Sequence, residues 1–303
     1  MGLPLFVVDS FASRPFTGNP AAVCLLDHER DAGWMQLVAR EMNVSETAFV
    51  EKRPDGEFGL RWFTPAVEVE LCGHATLASA HVLWEGAHVE TTRPIRFHTR
   101  SGTLVATREG EGIALEFPAY TPIEAPPPDG LGAALGYARA SWVGRTRGDV
   151  LVELANEADV RALAPDFAAL VRVDARAFMV TARGDAGTPY DFVSRFFAPS
   201  VGIAEDPVTG AAHCSLATYW AARLGKSVMT AYQASARGGV VRVRAEGART
   251  SLGGDAVTVT RGELLGYVQR EASHPALRAP GGSALIAGGG HHGESEHRSI
   301  HVA

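Results

Sequence analysis

The chain has 303 residues, of which 46% are hydrophobic, and this is enough to form two packed domains of ordinary size. Its net charge of -6 excludes the basic surface that a phosphate backbone requires, so we expect no nucleic-acid partner. No apolar run approaches the roughly 20 residues that span a bilayer, and the start, MGLPLFVVDSF, lacks the features of a secretion signal. Three scattered cysteines do not suggest a disulfide framework. We therefore expect a cytoplasmic protein with no membrane partner.

Short strands and two helices are predicted for the first half of the chain. Dense β-branched and apolar residues indicate the strands, and apolar residues at helical spacing indicate the first helix. The second helix, GHATLASAHVLWEGA, is small or apolar on nearly every side, so it must be buried on all sides. The predicted strands are 3–11, 21–26, 46–51 and 58–64, and the predicted helices are 32–42 and 73–87.

The second half repeats this pattern after a proline-rich segment, 121–130, which is predicted to link two lobes. The domains are then 1–120 and 121–267, followed by a Gly- and His-rich tail, 268–303, that we expect to be flexible. The predicted strands are 141–154, 176–182, 190–197, 228–235, 238–245 and 255–260, and the predicted helices are 156–161, 165–170 and 210–225.

An internal repeat supports two similar lobes. RWFTP at 61–65 recurs as RFFAP at 195–199, and each is followed by a short acidic segment, a glycine and a small-residue helix. Cys72-Gly73-His74 and Thr209-Gly210-Ala211 therefore occupy equivalent places. The predicted fold class is α+β, with two barrel-like lobes of strands wrapped around a central helix and a cleft between them.

The glycines that begin the two central helices predict a site for a small-molecule carboxylic acid. A helix N-terminus leaves backbone N–H groups without partners and carries partial positive charge, so it attracts a carboxylate. Gly73 and Gly210 allow the carboxylate to approach the backbone closely. The structural alternative is that each glycine merely permits tight packing of helix against strand.

Acid and base candidates lie beside these helix starts. Glu46 is flanked by apolar residues, and a carboxyl group in an apolar cleft can take and return a proton near neutral pH. Each candidate also has a structural interpretation: a solvated strand end for Glu46, a core histidine for His74, a helix cap for Asp206 and a small buried side chain for Cys72. Cys72 is a further acid/base candidate if the helix terminus lowers its pKa.

Four segments carry a resemblance to a known family: VDSFASRPFTGNPAAV, EMNVSETAFV, RWFTPAVEVELCGHATLASAHVL and GIAEDPVTGAAHCSLATYW. In this order, over about residues 5–266, they resemble the PhzF family of phenazine biosynthesis-like proteins. The resemblance implies a fold like that of diaminopimelate epimerase, a homodimer, and proton transfer with neither cofactor nor metal. In the phenazine enzyme, a dihydro-hydroxyanthranilate is isomerised with a glutamate as the acid/base.

The resemblance also implies roles for individual residues. Glu46 matches the acid/base glutamate, while His74 and Asp206 match residues that tune or relay protons and bind polar groups of the substrate. The remaining substrate-binding residues implied by the matching motifs are Asn19, Ser45, Gly73, Gly210 and Ala211.

Two positions depart from the family pattern. Ala211 stands where the phenazine enzyme has a serine, so a hydroxyl near the substrate is missing and the phenazine substrate itself is in doubt. Thr209 stands where epimerase relatives have a second cysteine, which disfavours a mechanism with two thiols.

The leading hypothesis is thus a cofactor-independent isomerase of a small cyclic or unsaturated carboxylic acid. One alternative is an amino-acid racemase or epimerase that uses Cys72. Another is a non-catalytic protein that binds small acids.

Overall fold

Two helices made of small and apolar residues organise the computed structural model, which describes residues 2–265. They are α2 (Gly73–Glu85) and α6 (Gly210–Leu224), and nearly every side chain of α2 is buried. Both were predicted from their composition, and both are confirmed. The tail predicted at 268–303 lies outside the described residues.

The first group of strands surrounds α2. Strands β1 to β4 continue into the antiparallel set β6, β7 and β8, while β5 is a short strand beside β4. Helix α1 (Ala32–Met42) packs outside this group on β3 and β4. The strands are β1 (Leu3–Ser10), β2 (Asn19–Leu26), β3 (Glu46–Lys52), β4 (Phe58–Phe63), β5 (Glu68–Val69), β6 (Ile95–Thr99), β7 (Gly102–Glu109) and β8 (Gly112–Pro118).

The second group of strands packs against α6, with three short helices beside it: α3 (Leu131–Leu135), α4 (Glu157–Ala162) and α5 (Phe167–Leu170). One hydrophobic core surrounds both central helices, and a smaller one lies beneath the three short helices. The strands are β9 (Ile123–Glu124), β10 (Trp142–Thr146), β11 (Asp149–Glu153), β12 (Ala177–Arg183), β13 (Phe192–Phe197), β14 (Val228–Gln233), β15 (Gly239–Glu246), β16 (Arg249–Gly254) and β17 (Ala256–Leu264).

Two antiparallel pairings join the groups into one sheet of 17 strands. Strand β8 pairs with β16, and β17 returns to pair with β1. The α+β fold class is confirmed, with strands packed around a central helix in each half. Among the residues that the structure describes, no helix has the length and apolar character needed to cross a bilayer.

Several predicted elements need correction. The strand predicted at 141–154 is a hairpin, because Arg147 and Gly148 turn the chain between β10 and β11. The predicted linker contains β9, which pairs with β10. Strands β6, β7, β8 and β16 were missed. In β6 and β7 polar residues interrupt the apolar ones and much of β7 is exposed, so neither shows the dense apolar run on which the prediction relied.

The internal repeat is visible in the structure. Arg61 on β4 donates two hydrogen bonds to Glu68, at 2.7 and 2.9 Å, and Arg195 on β13 does the same to Glu205 at the same two distances. Each guanidinium also lies over the ring of the phenylalanine two residues later in the chain. These two ion pairs hold the acidic segments that lead to α2 and α6 in equivalent positions.

Candidate active site

Three buried ionisable residues meet where the two halves of the structure adjoin. Glu46 begins β3, His74 is the second residue of α2, and Asp206 lies in the segment that leads into α6. Only 2% of Glu46, 2% of His74 and 6% of Asp206 is exposed, so none of them is a solvated strand end or surface cap. Burial of such groups is expensive unless they are paired, and it marks this cluster as a candidate functional site.

Glu46 and His74 form the central pair. The His74 Nε2 and Glu46 Oε2 atoms lie 3.1 Å apart, which is an ion-pair distance. Neither atom has a further partner among the described residues. On the other side of the imidazole, Nδ1 lies 3.5 Å from the Cys72 Sγ atom. The two atoms of this buried ion pair thus contact each other and no other group of the described chain.

Asp206 is held by residues from both halves of the chain. Its Oδ1 atom accepts a hydrogen bond from Asn19 Nδ2 at 2.9 Å, and its Oδ2 atom accepts one from Thr209 Oγ1 at 2.5 Å. Asn19 Nδ2 also donates to the Val208 carbonyl at 2.9 Å. Asn19 was predicted to bind substrate, and in the structure its amide nitrogen positions Asp206 while its Oδ1 atom has no partner within the described chain.

Burial and charge set the protonation of the central pair. Burial, reinforced by the Glu46 carboxylate, raises the pKa of Cys72 to about 11, so this side chain is a thiol at neutral pH. Burial also opposes a charge on His74, but Cys72 and Glu46 outweigh it and raise the His74 pKa well above its ordinary value. Cys72 and Glu46 thus both favour a proton on His74. Cys72 is not activated by its helix terminus.

The pKa of Asp206 lies near neutral pH. Burial raises its pKa from an ordinary 3.8 to about 7, against the opposing effects of His74, Thr209 and Asn19. No arginine or lysine forms an ion pair with it in the part of the chain that the structure describes. A carboxyl group with this pKa is half-protonated near neutrality, which suits a group that both gives and takes protons.

The N-termini of α2 and α6 meet beside these residues. A Cβ atom added to Gly73 would lie 3.8 Å from the Gly210 Cα atom. No side chain caps either helix, and the Thr209 hydroxyl is turned to Asp206 instead. Two uncapped termini therefore add their partial positive charges at one place. The structure brings the two predicted glycines together.

The predicted site residues line two different cavities. A cleft of about 530 Å³ is lined by Ser45, Glu46 and Asp206. A narrower cavity, of about 30 Å³, is lined by Gly73, Gly210 and Ala211. His74, the second residue of α2, contacts Glu46 and follows Gly73, so it connects the acid/base groups to the start of this helix.

Two residues that position this site were not predicted from the sequence. Gln233, fully buried on β14, donates to the Asp206 carbonyl at 2.7 Å and accepts from the Thr209 N–H at 2.9 Å. The Ser10 hydroxyl donates to the His74 carbonyl at 2.7 Å. No local pattern marks either residue, because both are ordinary polar residues in strands far along the chain from their partners.

One group of donor atoms has the composition of a metal site. A carboxylate oxygen of Glu46, the Cys72 Sγ atom and an imidazole nitrogen of His74 all lie within 4.8 Å of one another. The sequence predicts no metal, and that prediction stays open.

Comparison with known proteins identifies the family. The model of the phenazine biosynthesis-like protein family, PhzC-PhzF, matches residues 8–262. The chain belongs to this family. An uncharacterized isomerase of Halalkalibacterium halodurans is 50% identical over 88% of the chain and 99% of that relative. An uncharacterized isomerase of Pseudomonas aeruginosa is 51% identical over 87% of the chain and 99% of that relative.

Solved structures agree with this assignment. The crystal structure of a PhzF-family phenazine biosynthesis protein of Enterococcus faecalis has a TM-score of 0.82 and 40% identity, over 87% of the chain and 99% of that structure. A hydroxyproline epimerase of Agrobacterium vitis, at 11% identity and a TM-score of 0.56 over 86% of the chain and 92% of its own, shares the fold alone. The predicted PhzF membership and epimerase-like fold are confirmed, and the chain is an isomerase.

Proposed function

We propose that this PhzF-family isomerase moves a proton within a small cyclic or unsaturated carboxylic acid, with Glu46 as the acid/base. The observation that carries the proposal is the buried ion pair of Glu46 and His74, whose two facing atoms have no partner but each other in the described structure. A pair retained only for stability would be expected to have its hydrogen bonds complete. Here no third group of the described chain completes the pair, so the Glu46 carboxylate keeps lone pairs that can take a proton from a substrate.

In this proposal the substrate carboxylate binds at the uncapped N-termini of α2 and α6. The two helix dipoles and the free N–H groups supply the positive charge without an arginine. Glu46 then removes a proton from the carbon adjacent to the conjugated system and becomes a neutral acid. It returns the proton to a different carbon, so the double bond shifts and the enzyme recovers its starting state.

His74 and Asp206 assist the proton transfer through their charge and protonation. The His74 imidazolium stabilises the negative charge that develops on the substrate when Glu46 takes the proton. Asp206, with a pKa of about 7, exchanges protons with polar groups of the substrate and is held in place by Asn19 and Thr209. No step requires a cofactor.

Deuterium exchange tests the role of Glu46. The protein and its Glu46→Gln variant are incubated in deuterated buffer with 2,3-dihydro-3-hydroxyanthranilate and a panel of cyclic acids and amino acids, and followed by proton NMR. Glu46→Gln keeps the shape of the side chain and removes its basicity, so deuterium uptake or isomerisation should fall by at least about 100-fold. Ligand binding, seen as line broadening, should persist.

Glu51→Gln is the matched control, because Glu51 lies on the same strand, β3, outside the site. It should leave turnover unchanged. A Glu46→Gln variant as active as the wild type would eliminate the proposed mechanism, and binding without any exchange in either protein would favour a non-catalytic acid-binding protein.

The racemase alternative has less support. It needs Cys72 as a base, but the pKa of Cys72 is about 11, and the Thr209 hydroxyl opposite it is engaged by Asp206. The homodimer and the cytoplasmic location expected from the sequence stay predictions.

A further inference from the structure

The larger cleft, which Glu46 and Asp206 line, has a wall that the proposed proton transfer does not use. Its volume of about 530 Å³ is that of a site for a small organic molecule. A substrate carbon that reaches Glu46 from this cleft places the rest of the molecule against the wall. Most of the other residues that line the cleft are apolar, and the largest of them are Val44, Pro65, Val67, Val201, Ile203 and Pro207.

Two loops of the internal repeat supply much of this apolar wall. The first loop follows β4 and the second follows β13. The Thr64 N–H donates to the Val67 carbonyl at 2.9 Å, which closes the first loop. Ala198 and Ile203 exchange two backbone hydrogen bonds, at 3.0 and 3.1 Å, which close the second. Val67 and Ile203 are therefore the apolar residues at equivalent ends of the two loops, one from each half of the chain, and both line the cleft.

The first loop is ordered without a ligand. The Gln36 side chain donates to the Thr64 carbonyl at 2.8 Å, and Arg40 Nε donates to the Pro65 carbonyl at 3.2 Å. Val67 is nevertheless 39% exposed, so it is an accessible apolar side chain and not part of the core. An ordered wall loses little conformational entropy when a ligand binds, which favours affinity.

The cleft is lined by acidic groups and by no basic ones. Among residues 2–265, no lysine, arginine or histidine lines it. Its third acid, Glu205, is already neutralised by Arg195 through two hydrogen bonds, at 2.7 and 2.9 Å. A second anionic group on the substrate would lie near Glu46 and Asp206 with no cation in the wall to balance it, which is costly in a partly desolvated site. The lining thus favours an uncharged, apolar group.

We propose that Val67 and Ile203 are specificity-determining residues that bind an apolar, uncharged part of the substrate. This inference rests on the proposed function, because the substrate carboxylate occupies the helix termini and the reacting carbon lies at Glu46. The remainder of the molecule then extends along the two loops. The substrate class is a monocarboxylic acid with a hydrocarbon ring or chain beyond the reacting carbon, and acids with a second anionic group at that end are rejected.

Calorimetry with three straight-chain acids tests this proposal: butanoate, octanoate and octanedioate. Their chains are flexible, so they can reach the cleft in whichever direction they leave the helix termini. Octanoate should bind about 10-fold more tightly than butanoate, because its additional methylene groups are buried on the apolar wall. Octanedioate has the same chain length with a second carboxylate at its end, and it should bind at least about 10-fold more weakly than octanoate.

Substitutions in the two loops test the residues themselves. Val67→Lys places a cation in the wall, so it should tighten octanedioate binding and weaken octanoate binding by about 5-fold each. Ile203→Ala should weaken octanoate by about 3-fold and leave butanoate unchanged. Val240→Lys is the matched control, because Val240 is 41% exposed and lies on β15, outside the cleft. It should change none of the three affinities.

Equal affinities of the wild type for butanoate and octanoate would overturn the proposal, as would octanedioate bound as tightly as octanoate or no binding of any acid. An unchanged order of affinities in Val67→Lys would do the same. If that variant loses butanoate binding as well, it is misfolded and Ile203→Ala decides: weaker octanoate binding supports the proposal, and unchanged binding overturns it. Failure of the proposed function is recognised separately, because it is measured as proton exchange that does not depend on Glu46.

Discussion

Replacing Asp206 with asparagine should stabilise the protein at alkaline pH while reducing turnover. Asp206 is 6% exposed and its pKa is raised from 3.8 to about 7, mainly by burial. The unfolded chain therefore ionises this group more easily than the folded one. A rise of this size corresponds to about 4 kcal/mol of destabilisation at pH 8.

The pH dependence follows from the direction of this difference. The contribution of Asp206 to stability is fully present below the unfolded pKa of 3.8, where both states become protonated, and is lost as the pH rises through about 7. The asparagine side chain of the variant would not ionise, so the loss would not occur. The amide keeps the bond from Asn19 but disturbs the one from Thr209, at a cost of about 1 kcal/mol.

Urea unfolding followed by tryptophan fluorescence measures the result. Asp206→Asn should be about 3 kcal/mol more stable than the wild type at pH 8 and nearly equal to it at pH 4.5. Asp9→Asn is the matched control, because Asp9 is equally buried but accepts hydrogen bonds from Arg237 and from the Phe16 N–H, both at 2.7 Å. Loss of those bonds should destabilise the protein at pH 8.

The reasoning would be refuted if Asp206→Asn destabilised the protein at pH 8 as Asp9→Asn does. A gain of the same size at pH 4.5 and pH 8 would also refute it, because the effect would then not arise from ionisation. A stability gain paired with lost activity is the pattern expected of a strained functional group.

Two further substitutions test whether Cys72 takes part in the reaction and whether Gln233 stabilises the structure. Cys72→Ala should leave proton exchange within about 5-fold of the wild type, because the thiol is protonated at neutral pH; loss of exchange with amino acids alone would instead support the racemase alternative. Gln233→Met should lower the free energy of unfolding by about 2 to 4 kcal/mol, since it leaves the Asp206 carbonyl and the Thr209 N–H without partners in the core. Urea unfolding at pH 7 checks this, and a change below about 0.5 kcal/mol would show that other groups replace those bonds.

The secondary structure was predictable where the residue composition of a single segment indicates it. Helices α2 and α6 consist mostly of small and apolar residues, and such a composition favours a buried helix. Strands β6 and β7 carry no such signal, because polar residues interrupt their apolar ones and much of β7 is exposed. The pairing of β8 with β16 joins residues more than 130 positions apart, and no local pattern encodes that distance.

The site was predictable as a set of residues but not as an arrangement. Glu46, His74 and Asp206 were chosen from their motifs, and the structure brings them together with Asn19 between His74 and Asp206. Asn19 and Asp206 are 187 positions apart in the chain. Gln233 was missed for the same reason, since its role exists only once β14 lies beside the start of α6.

The sequence by itself determined the two central helices, the glycines that begin them, the internal repeat and the residue types of the site. Only the tertiary structure decided which groups carry protons. Asp206 has a pKa of about 7 because packing from both halves removes it from water, and the pKa of His74 is raised because the fold places it beside Cys72 and 3.1 Å from Glu46. Desolvation and distance depend on the whole packed chain, so no short motif could specify them.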